Sequence, residues 1–474
     1  MDESYFGKTK RMEKFDVIII GAGPAGLFAA MELASQGVNV LILEKGSDLT
    51  KRICPAVEKR KACIKCPVCS ITSGFGGAGA FSDGKITLSK RIGGYLSEYL
   101  EESIFEKYLK YVEEKFLEFG APPRIFGTDT EKIEKIRYEA QKYHLELVPS
   151  RLLHMGTDKG LEVLSNIKES LMEKKVSIHF NEPALDLVIG KSHVMGVKTP
   201  KNEYRSKYVI MAPGRAGSEW TKYICKKLGI KTYTNPVDVG IRLEIPAEIL
   251  RPLTDILYEP KIIYYSRNFD DRVRTFCVNP YGVVVPELVD DIISVNGHSY
   301  TYHHSENTNL AILVSTSFTE PFNDPVTYGK SIARLANLLT DSIIIQRLGD
   351  LFQGRRSTPE RINRSPIKPT YEGAVPGDLS FALPYRYLKD IAEMLKALDK
   401  LAPGIAAPYN FVYGVEVKFY SARLELRKNF ETKIENLFAA GDGAGITRGL
   451  SQASISGLVV AKEILKREGS DYEN

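Results

Sequence analysis

The sequence has no apolar stretch long enough to cross a bilayer. Its most apolar run, residues 17–31, has fifteen residues that include three Gly and one Pro, whereas a spanning helix needs about 20 apolar residues. Residues 1–16 mix both charge signs and contain no apolar segment, unlike a secretory signal. We therefore expect a protein that does not associate with membranes and that works in the cytoplasm.

An excess of one charge sign is also missing. The chain of 474 residues has 64 Lys and Arg against 59 Asp and Glu, a net charge of +5, and its basic residues form no stripe. We therefore do not expect a nucleic-acid partner. The proportions of apolar and charged residues are those of a globular protein, and the length suggests two or three domains at roughly 150 residues each.

Cysteine is scarce, with six residues in the whole chain, which excludes a disulfide scaffold. Four of them crowd together with the spacing C-x8-C-x2-C-x2-C, namely Cys54, Cys63, Cys66 and Cys69. Three interpretations stay open: a metal site with four thiolate ligands, holding an iron–sulfur cluster or zinc, a redox-active dithiol, or plain buried cysteines. Cys225 and Cys277 are isolated, and we expect them to act as small core residues.

A dinucleotide-binding motif stands near the N-terminus. Residues 15–20 form an apolar run, G-x-G-x-x-G follows at once and opens a helix, and residues 38–43 form a second apolar run. This pattern predicts a βαβ unit whose helix N-terminus faces a pyrophosphate, with an acidic residue at the end of the second strand on a ribose hydroxyl. The predicted contacts are Gly21, Gly23, Pro24, Ala25, Gly26, Glu44 and Lys45. No second motif of this kind follows, so the electron donor or acceptor is unknown.

Two later segments favour FAD over NAD. Residues 436–443 (NLFAAGDG) resemble the second FAD signature of the glutathione-reductase-like flavoproteins, and residues 211–214 (MAPG) resemble their middle signature. The resemblance implies that Asp442 binds the ribityl chain of FAD and that the helix after it points its N-terminus at the flavin. The further cofactor contacts predicted in these regions are Ala184, Ala212, Gly214, Gly441, Asp442, Leu450 and Ser451.

A glycine-rich segment begins five residues after the last clustered cysteine. Residues 74–80 contain four Gly and two Ala, so that a flat ring can lie against the backbone. We expect Gly76, Gly77, Ala78, Gly79, Asp83 and Gly84 to contact the isoalloxazine or the substrate. Two cations are the catalytic candidates: Lys85, which would hold negative charge on the flavin or substrate, and Arg448, which would bind a carboxylate.

The chain as a whole resembles a poorly characterised family of FAD-dependent dehydrogenases from bacteria and archaea. The matching stretches are residues 21–30, 73–89, 154–160, 212–217, 275–285, 295–299 and 441–453. The resemblance implies an α/β fold, in which a Rossmann-like FAD-binding domain with a parallel sheet is interrupted by a mixed, β-rich substrate domain. We predict an FAD-binding domain over 1–234, with the Cys- and Gly-rich loop at 51–93, a substrate domain over 235–404, and the remainder of the FAD-binding domain over 405–474. The resemblance implies no particular substrate.

Together these features predict an enzyme, an FAD-dependent oxidoreductase that acts as dehydrogenase or reductase on a small-molecule substrate. The cysteine segment would place a metal or thiol redox centre beside the flavin. The alternative is a non-catalytic flavin redox sensor or an RNA-associated flavoprotein, because some flavoproteins of this superfamily act on tRNA. Turnover with artificial acceptors would distinguish the two.

Overall fold

The computed structural model describes residues 14–55, 64, 66–289, 291–300, 303–318, 321–322 and 324–469. The strands are β1 (Lys14–Ile20), β2 (Val40–Leu43), β3 (Lys85–Leu88), β4 (Ile125–Phe126), β5 (Leu145–Val148), β6 (Arg151–His154), β7 (Ser177–His179), β8 (Asp186–Ile189), β9 (Val194–Lys198), β10 (Glu203–Met211), β11 (Thr232–Tyr233), β12 (Val237–Pro246), β13 (Lys261–Tyr265), β14 (Arg272–Asn279), β15 (Val283–Val289), β16 (Ile292–His298), β17 (Asn307–Thr316), β18 (Ile344–Arg347), β19 (Val375–Pro376), β20 (Phe411–Lys418), β21 (Arg423–Leu424) and β22 (Leu437–Ala439).

The α-helices are α1 (Pro24–Ser35), α2 (Glu102–Glu118), α3 (Thr130–Gln141), α4 (Gly156–Glu173), α5 (Ser218–Leu228), α6 (Ala247–Leu257), α7 (Pro325–Thr340), α8 (Leu348–Phe352), α9 (Pro359–Asn363), α10 (Tyr385–Leu401) and α11 (Leu450–Arg467). Over the described residues, no helix is both long and apolar enough to span a membrane.

The first sheet has seven strands in the order β7-β2-β1-β10-β9-β8, with β22 beside β10. β1 lies between β2 and β10 and is parallel to both. Residues 17–20 of β1 are no more than 5% exposed, as expected for a central parallel strand covered on both faces. The predicted fold class, a Rossmann-like α/β domain interrupted by a β-rich region, is confirmed.

Two helices at one face of this sheet bring their N-termini together. α1 and α11 cross so closely that a Cβ on Gly457 would lie 1.9 Å from the carbonyl oxygen of Ala25. Only glycine allows this approach, because any side chain would overlap the backbone of the other helix. The crossing therefore sets the predicted first and last cofactor-binding segments side by side.

The second sheet has eight strands in the order β19-β18-β20-β12-β17-β14-β13-β5 and is mostly antiparallel. It has its own hydrophobic core, to which helices α7 and α10 contribute. Two of its strands lie outside the range predicted for a substrate domain, namely β5 at 145–148 and β20 at 411–418. The predicted boundaries divide the chain along its length, whereas this sheet takes segments from all three predicted parts.

Candidate flavin site

A cavity of about 1050 Å³ is lined by residues from both large sheets. Ligand pockets commonly measure about 300–1,000 Å³, so this one is large enough for an extended cofactor. One end is formed by the turn between β1 and α1, and the other by a face of the eight-stranded sheet. We call these the dinucleotide end and the sheet wall.

Three glycines of the first turn have three different surroundings. A Cβ on Gly21, whose φ is +106°, would lie 2.3 Å from the carbonyl oxygen of Ala212. A Cβ on Gly26 would lie 2.1 Å from the carbonyl oxygen of Gly21, so this glycine lets helix and strand pack closely. At Gly23 the nearest atom to a Cβ would be 4.0 Å away, on Gly77, and the backbone faces the cavity. The turn thus has the geometry predicted for approach to a pyrophosphate.

Glu44 joins this turn to the glycine-rich loop. Its Oε2 accepts a hydrogen bond from the amide of Ala22 at 2.9 Å. Its Oε1 accepts from the amides of Gly46 at 2.8 Å and Gly74 at 2.9 Å. Each carboxylate oxygen can accept two hydrogen bonds, so Oε2 retains capacity for a ribose hydroxyl. Glu44 lines the cavity, which fits the predicted role.

The glycine-rich loop lies across the N-termini of both helices. The amide of Gly76 donates to the carbonyl of Ala22 at 2.8 Å. A Cβ on Gly77 would lie 3.1 Å from the Cα of Gly23, and one on Gly79 would lie 2.6 Å from the Leu450 side chain. Side chains here would fill the space between the loop and the helices, so the loop presents bare backbone to the cavity.

Arg52, which the sequence analysis did not single out, holds the start of this loop. It is 3% exposed, and its guanidinium donates to the carbonyls of Ser70, Ile71 and Phe75 at 2.9, 2.8 and 2.5 Å. Burial lowers its pKa to about 10. No local pattern marks a lone arginine as an anchor for backbone carbonyls eighteen or more residues away.

Asp442 stands beside the start of α11. Its Oδ1 accepts a hydrogen bond from the Thr447 hydroxyl at 2.7 Å, and its Oδ2 lies 3.9 Å from Nε of Arg215. Burial raises the pKa of the carboxyl group above its ordinary value. Because 3.9 Å is too long for a hydrogen bond to Arg215, Oδ2 is able to accept a hydrogen bond from a hydroxyl group of a ligand in the cavity.

Most of the predicted site residues line this one cavity. They are Gly21, Gly23, Pro24, Ala25, Glu44, Lys45, Gly77, Ala78, Gly79, Asp83, Lys85, Ala184, Ala212, Gly214, Gly441, Asp442, Arg448 and Leu450. Four others, Gly26, Gly76, Gly84 and Ser451, do not line it. Gly26 and Gly84 shape the backbone behind the cavity wall, and Ser451 is buried. Contact of each residue with FAD stays a prediction.

Lys85 has different partners from those predicted. Its Nζ lies 2.5 Å from Oδ2 of Asp83 and donates to the Val278 carbonyl at 2.5 Å and to Oδ1 of Asn279 at 3.2 Å. These three acceptors use all three N–H groups of the ammonium. Although burial opposes ionisation, Lys85 holds the pKa of Asp83 down at about 2. Lys85 thus fastens the glycine-rich loop to β14.

Cys277 lies at the cavity rather than in a hydrophobic core, contrary to the sequence expectation. It is half-buried, has a φ of +46°, and its Sγ is 3.4 Å from Oδ2 of Asp83. Burial raises the pKa of the thiol. Cys225, by contrast, is 2% exposed in the core, as expected. Asp83, Lys85 and Cys277 together form a polar corner of the cavity.

The sheet wall was not predicted. Arg274 donates through Nη2 to Oδ2 of Asp238 at 2.5 Å and to the Tyr420 hydroxyl at 3.1 Å. The guanidinium carbon of Arg448 lies 3.6 Å from the centroid of the Tyr420 ring. Alternation along β14 was an available signal, since Val273 is buried and away from the cavity while its neighbours Arg272 and Arg274 line it.

Two lysines of the wall are paired with carboxylates. Lys418 lies 2.9 Å from Glu287, and Lys261 lies 2.6 Å from Glu259. Burial opposes ionisation of Glu287, but Lys418 and Arg215 hold its pKa down at about 2. These two pairs therefore place ionised groups at the cavity without adding net charge.

The cysteine segment receives no support as a redox centre. Cys54, Cys66 and Cys69 are free thiols, and Cys63 lies outside the described residues. Within the described part of the chain, no group of three or more His, Cys, Asp or Glu side chains is arranged to hold a metal ion. The iron–sulfur, zinc and dithiol interpretations stay predictions.

Comparison with known protein families identifies the chain as FAD-dependent. Two family models match the chain: one described as FAD binding domain, over residues 14–54, and one described as FAD-dependent protein, C-terminal domain-like, over residues 260–419. They confirm the predicted class: the chain is an FAD-dependent oxidoreductase, with FAD as its cofactor.

Known proteins show more distant similarity. An uncharacterized protein of Clostridium beijerinckii is 24% identical over 95% of this chain and 80% of its own length. Digeranylgeranylglycerophospholipid reductase of Methanosarcina mazei is 36% identical over 35% of this chain and 39% of its own length. Among solved structures, 3-ketosteroid-delta4-(5alpha)-dehydrogenase from Rhodococcus jostii RHA1 is 13% identical with a TM-score of 0.44, covering 96% of this chain and 98% of that one.

Proposed function

We propose that the chain oxidises or reduces a small molecule bound between FAD and the sheet wall. The observation that carries this proposal is the continuity of the cavity, which runs from the β1–α1 turn to the face of the eight-stranded sheet. Such a space between two packed units is a usual place for a ligand site.

The dinucleotide end fits FAD in shape and in hydrogen-bonding capacity. α1 and α11 have no side-chain cap among the described residues, so their first amides are available to a ligand. The α1 terminus with Gly23 would hold the pyrophosphate, Glu44 a ribose hydroxyl, and Asp442 the ribityl chain. Bound FAD would supply the two-electron chemistry.

The polar corner would place a hydrogen-bond donor, the Cys277 thiol, next to a ligand in the cavity. Asp83, kept ionised by Lys85, accepts a hydrogen bond from the Cys277 thiol, and this thiol lines the cavity. Burial raises the pKa of this thiol, so it keeps its proton at neutral pH and would act as a hydrogen-bond donor, to Asp83 or to a ligand in the cavity. We assign Lys85 to positioning this corner, and we keep Arg448 as a candidate for direct contact with the substrate.

Titration of the FAD-free full chain with FAD tests the cofactor assignment, with flavin fluorescence as the readout. A side chain at Gly23 would occupy the cavity and keep the pyrophosphate away from the backbone amides. We therefore expect Gly23→Val to weaken FAD binding at least tenfold, because charge-assisted hydrogen bonds to the phosphates are lost. Gly160→Ala is the matched control, because a Cβ there meets no atom within 4 Å. Unchanged affinity in Gly23→Val would contradict the proposed position of the pyrophosphate.

The cysteine segment and the non-enzymatic alternative need separate measurements. Metal analysis of protein purified without air would decide between a bound cluster, zinc and free thiols at Cys54, Cys63, Cys66 and Cys69. Repeated turnover with an artificial electron acceptor would exclude the redox sensor, and an RNA affinity that falls with salt would favour the RNA-associated alternative.

A further inference from the structure

We propose that the sheet wall binds a carboxylate group of the substrate between Arg274 and Arg448, which we call the arginine pair. This inference rests on the proposed function, since it names the class of molecule that would face FAD. Both arginines line the cavity, and both contact Tyr420. Guanidinium groups match the planar geometry of a carboxylate.

The charge balance of the arginine pair favours a single negative charge. Arg274 is matched by Asp238, which is 1% exposed and also accepts from Ser315 and Tyr420. Within the described part of the chain, Arg448 forms no ion pair. One positive charge in a partly buried setting therefore lacks a partner, and a monoanion such as a carboxylate would supply it.

Three lysines that line the cavity are already engaged with carboxylates. Lys85, Lys261 and Lys418 each lie within 3 Å of a carboxylate, on Asp83, Glu259 and Glu287 respectively. A ligand anion there would have to displace an existing ion pair. In contrast to these lysines, Arg274 and Arg448 each retain an N–H group that is able to donate a hydrogen bond to a ligand.

Each arginine keeps one accessible nitrogen without a partner. Nη2 of Arg274 donates twice, and Nη2 of Arg448 donates to the Tyr95 hydroxyl at 3.0 Å. Nε of each is buried and unpartnered. Nη1 of each has no hydrogen-bond partner among the described residues and is not among the buried atoms, so it is open to a ligand in the cavity.

Tyr420 fixes the positions of both guanidinium groups. Its hydroxyl donates to Oδ2 of Asp238 at 2.5 Å and accepts from Arg274, while its ring lies under Arg448. Burial and the nearby Asp238 raise its pKa, so the hydroxyl stays protonated. The two cations are thereby oriented before a ligand arrives, which lowers the entropy that binding must overcome.

The test uses the FAD-loaded full chain, with the visible flavin spectrum as the readout and no turnover required. Benzoate and propionate are titrated against their neutral isosteres benzamide and propionamide. We expect the carboxylates to perturb the spectrum saturably and the amides to do so at least tenfold more weakly, because charge-assisted hydrogen bonds are lost.

Variants then assign the effect to the arginine pair. Arg274→Met and Arg448→Met should each weaken benzoate binding about tenfold or more while FAD affinity stays within twofold, and Arg448→Lys should recover only part of the loss. Arg251→Met, on an exposed face of α6, is the control and should bind benzoate as the parent does. Urea unfolding of each preparation reports whether the variant is folded, independently of its FAD affinity.

The outcomes separate the two proposals. If the parent chain binds no FAD, the proposed function fails. If FAD binds but carboxylates perturb it no more than amides do, only the carboxylate proposal is overturned. If the arginine variants lose FAD affinity in proportion to benzoate affinity, the pair belongs to the cofactor site, and the proposal is likewise overturned.

Discussion

The dinucleotide end and the sheet wall are built from different materials. The first is mostly backbone, with glycines at the positions where a Cβ would meet another main-chain atom. The second is made of long charged side chains, nearly all of which are paired with an opposite charge. A ligand at the first end would meet amides of fixed position, whereas a ligand at the wall would meet charges whose balance it changes.

Because of this difference, the two ends should be sensitive to different kinds of substitution. Backbone surfaces fail when atoms are added, since close packing leaves no room. Paired charges fail when one partner is removed, since the other is left buried alone.

The largest effect is expected beneath the sheet wall, at a fully buried ion pair. Arg242 and Glu416 are each 0% exposed and joined by two hydrogen bonds of 2.9 and 2.8 Å. Among the described residues, Arg242→Met leaves Lys418, at 3.3 Å, as the one cation paired with this carboxylate, and it should cost about 3–5 kcal/mol of unfolding free energy in urea. The double variant Arg242→Met, Glu416→Leu should recover most of this loss. A single variant as stable as the parent would show that the pair is dispensable.

A smaller loss is expected where α1 and α11 cross. A Cβ on Gly457 would overlap the carbonyl oxygen of Ala25, so Gly457→Ala should destabilise the chain by about 3 kcal/mol, the upper end for overpacked cores. FAD affinity should fall as well, because both helix N-termini move. Gly160→Ala adds the same methyl group inside α4 where no atom lies within 4 Å, and it should leave stability unchanged or slightly raised. Equal effects at both positions would contradict the close crossing.

The difference between the two ends also explains which site residues could be predicted from the sequence. Gly21, Gly23 and Gly26 stand within six residues, and their spacing follows from one local geometry, so a short motif identifies them. Asp238 lies on β12, Arg274 on β14, and Tyr420 two residues after the end of β20. They meet only because β20, β12, β17 and β14 stand in this order in the sheet. Their pairing depends on strand order, which no local pattern encodes.

The location of Lys85 was predicted from the sequence, but its partners were not. Its place at the end of the glycine-rich loop correctly predicted that it would lie at the cavity. Its partners, the Val278 carbonyl and the Asn279 side chain, lie almost two hundred residues away, so its engagement with β14 was not visible in the sequence. The same holds for Cys277, whose isolation in the sequence suggested a core residue.

The smallest effect that we predict concerns His154, which accepts or donates a hydrogen bond at 2.7 Å from the Tyr258 hydroxyl behind the polar corner. Burial lowers its pKa from 6.5 to about 4, so the folded chain binds this proton less tightly than the unfolded chain. Its contribution to stability is therefore complete above about pH 6.5 and is lost as the pH falls toward 4. Between pH 8 and pH 5 the loss should be about 2 kcal/mol. His154→Gln removes this titration, and urea unfolding of both chains at the two pH values should show a smaller pH dependence for the variant. An equal dependence in both chains would mean that His154 binds its proton equally tightly in the folded and the unfolded chain, and would move the source of acid sensitivity from this corner to other groups.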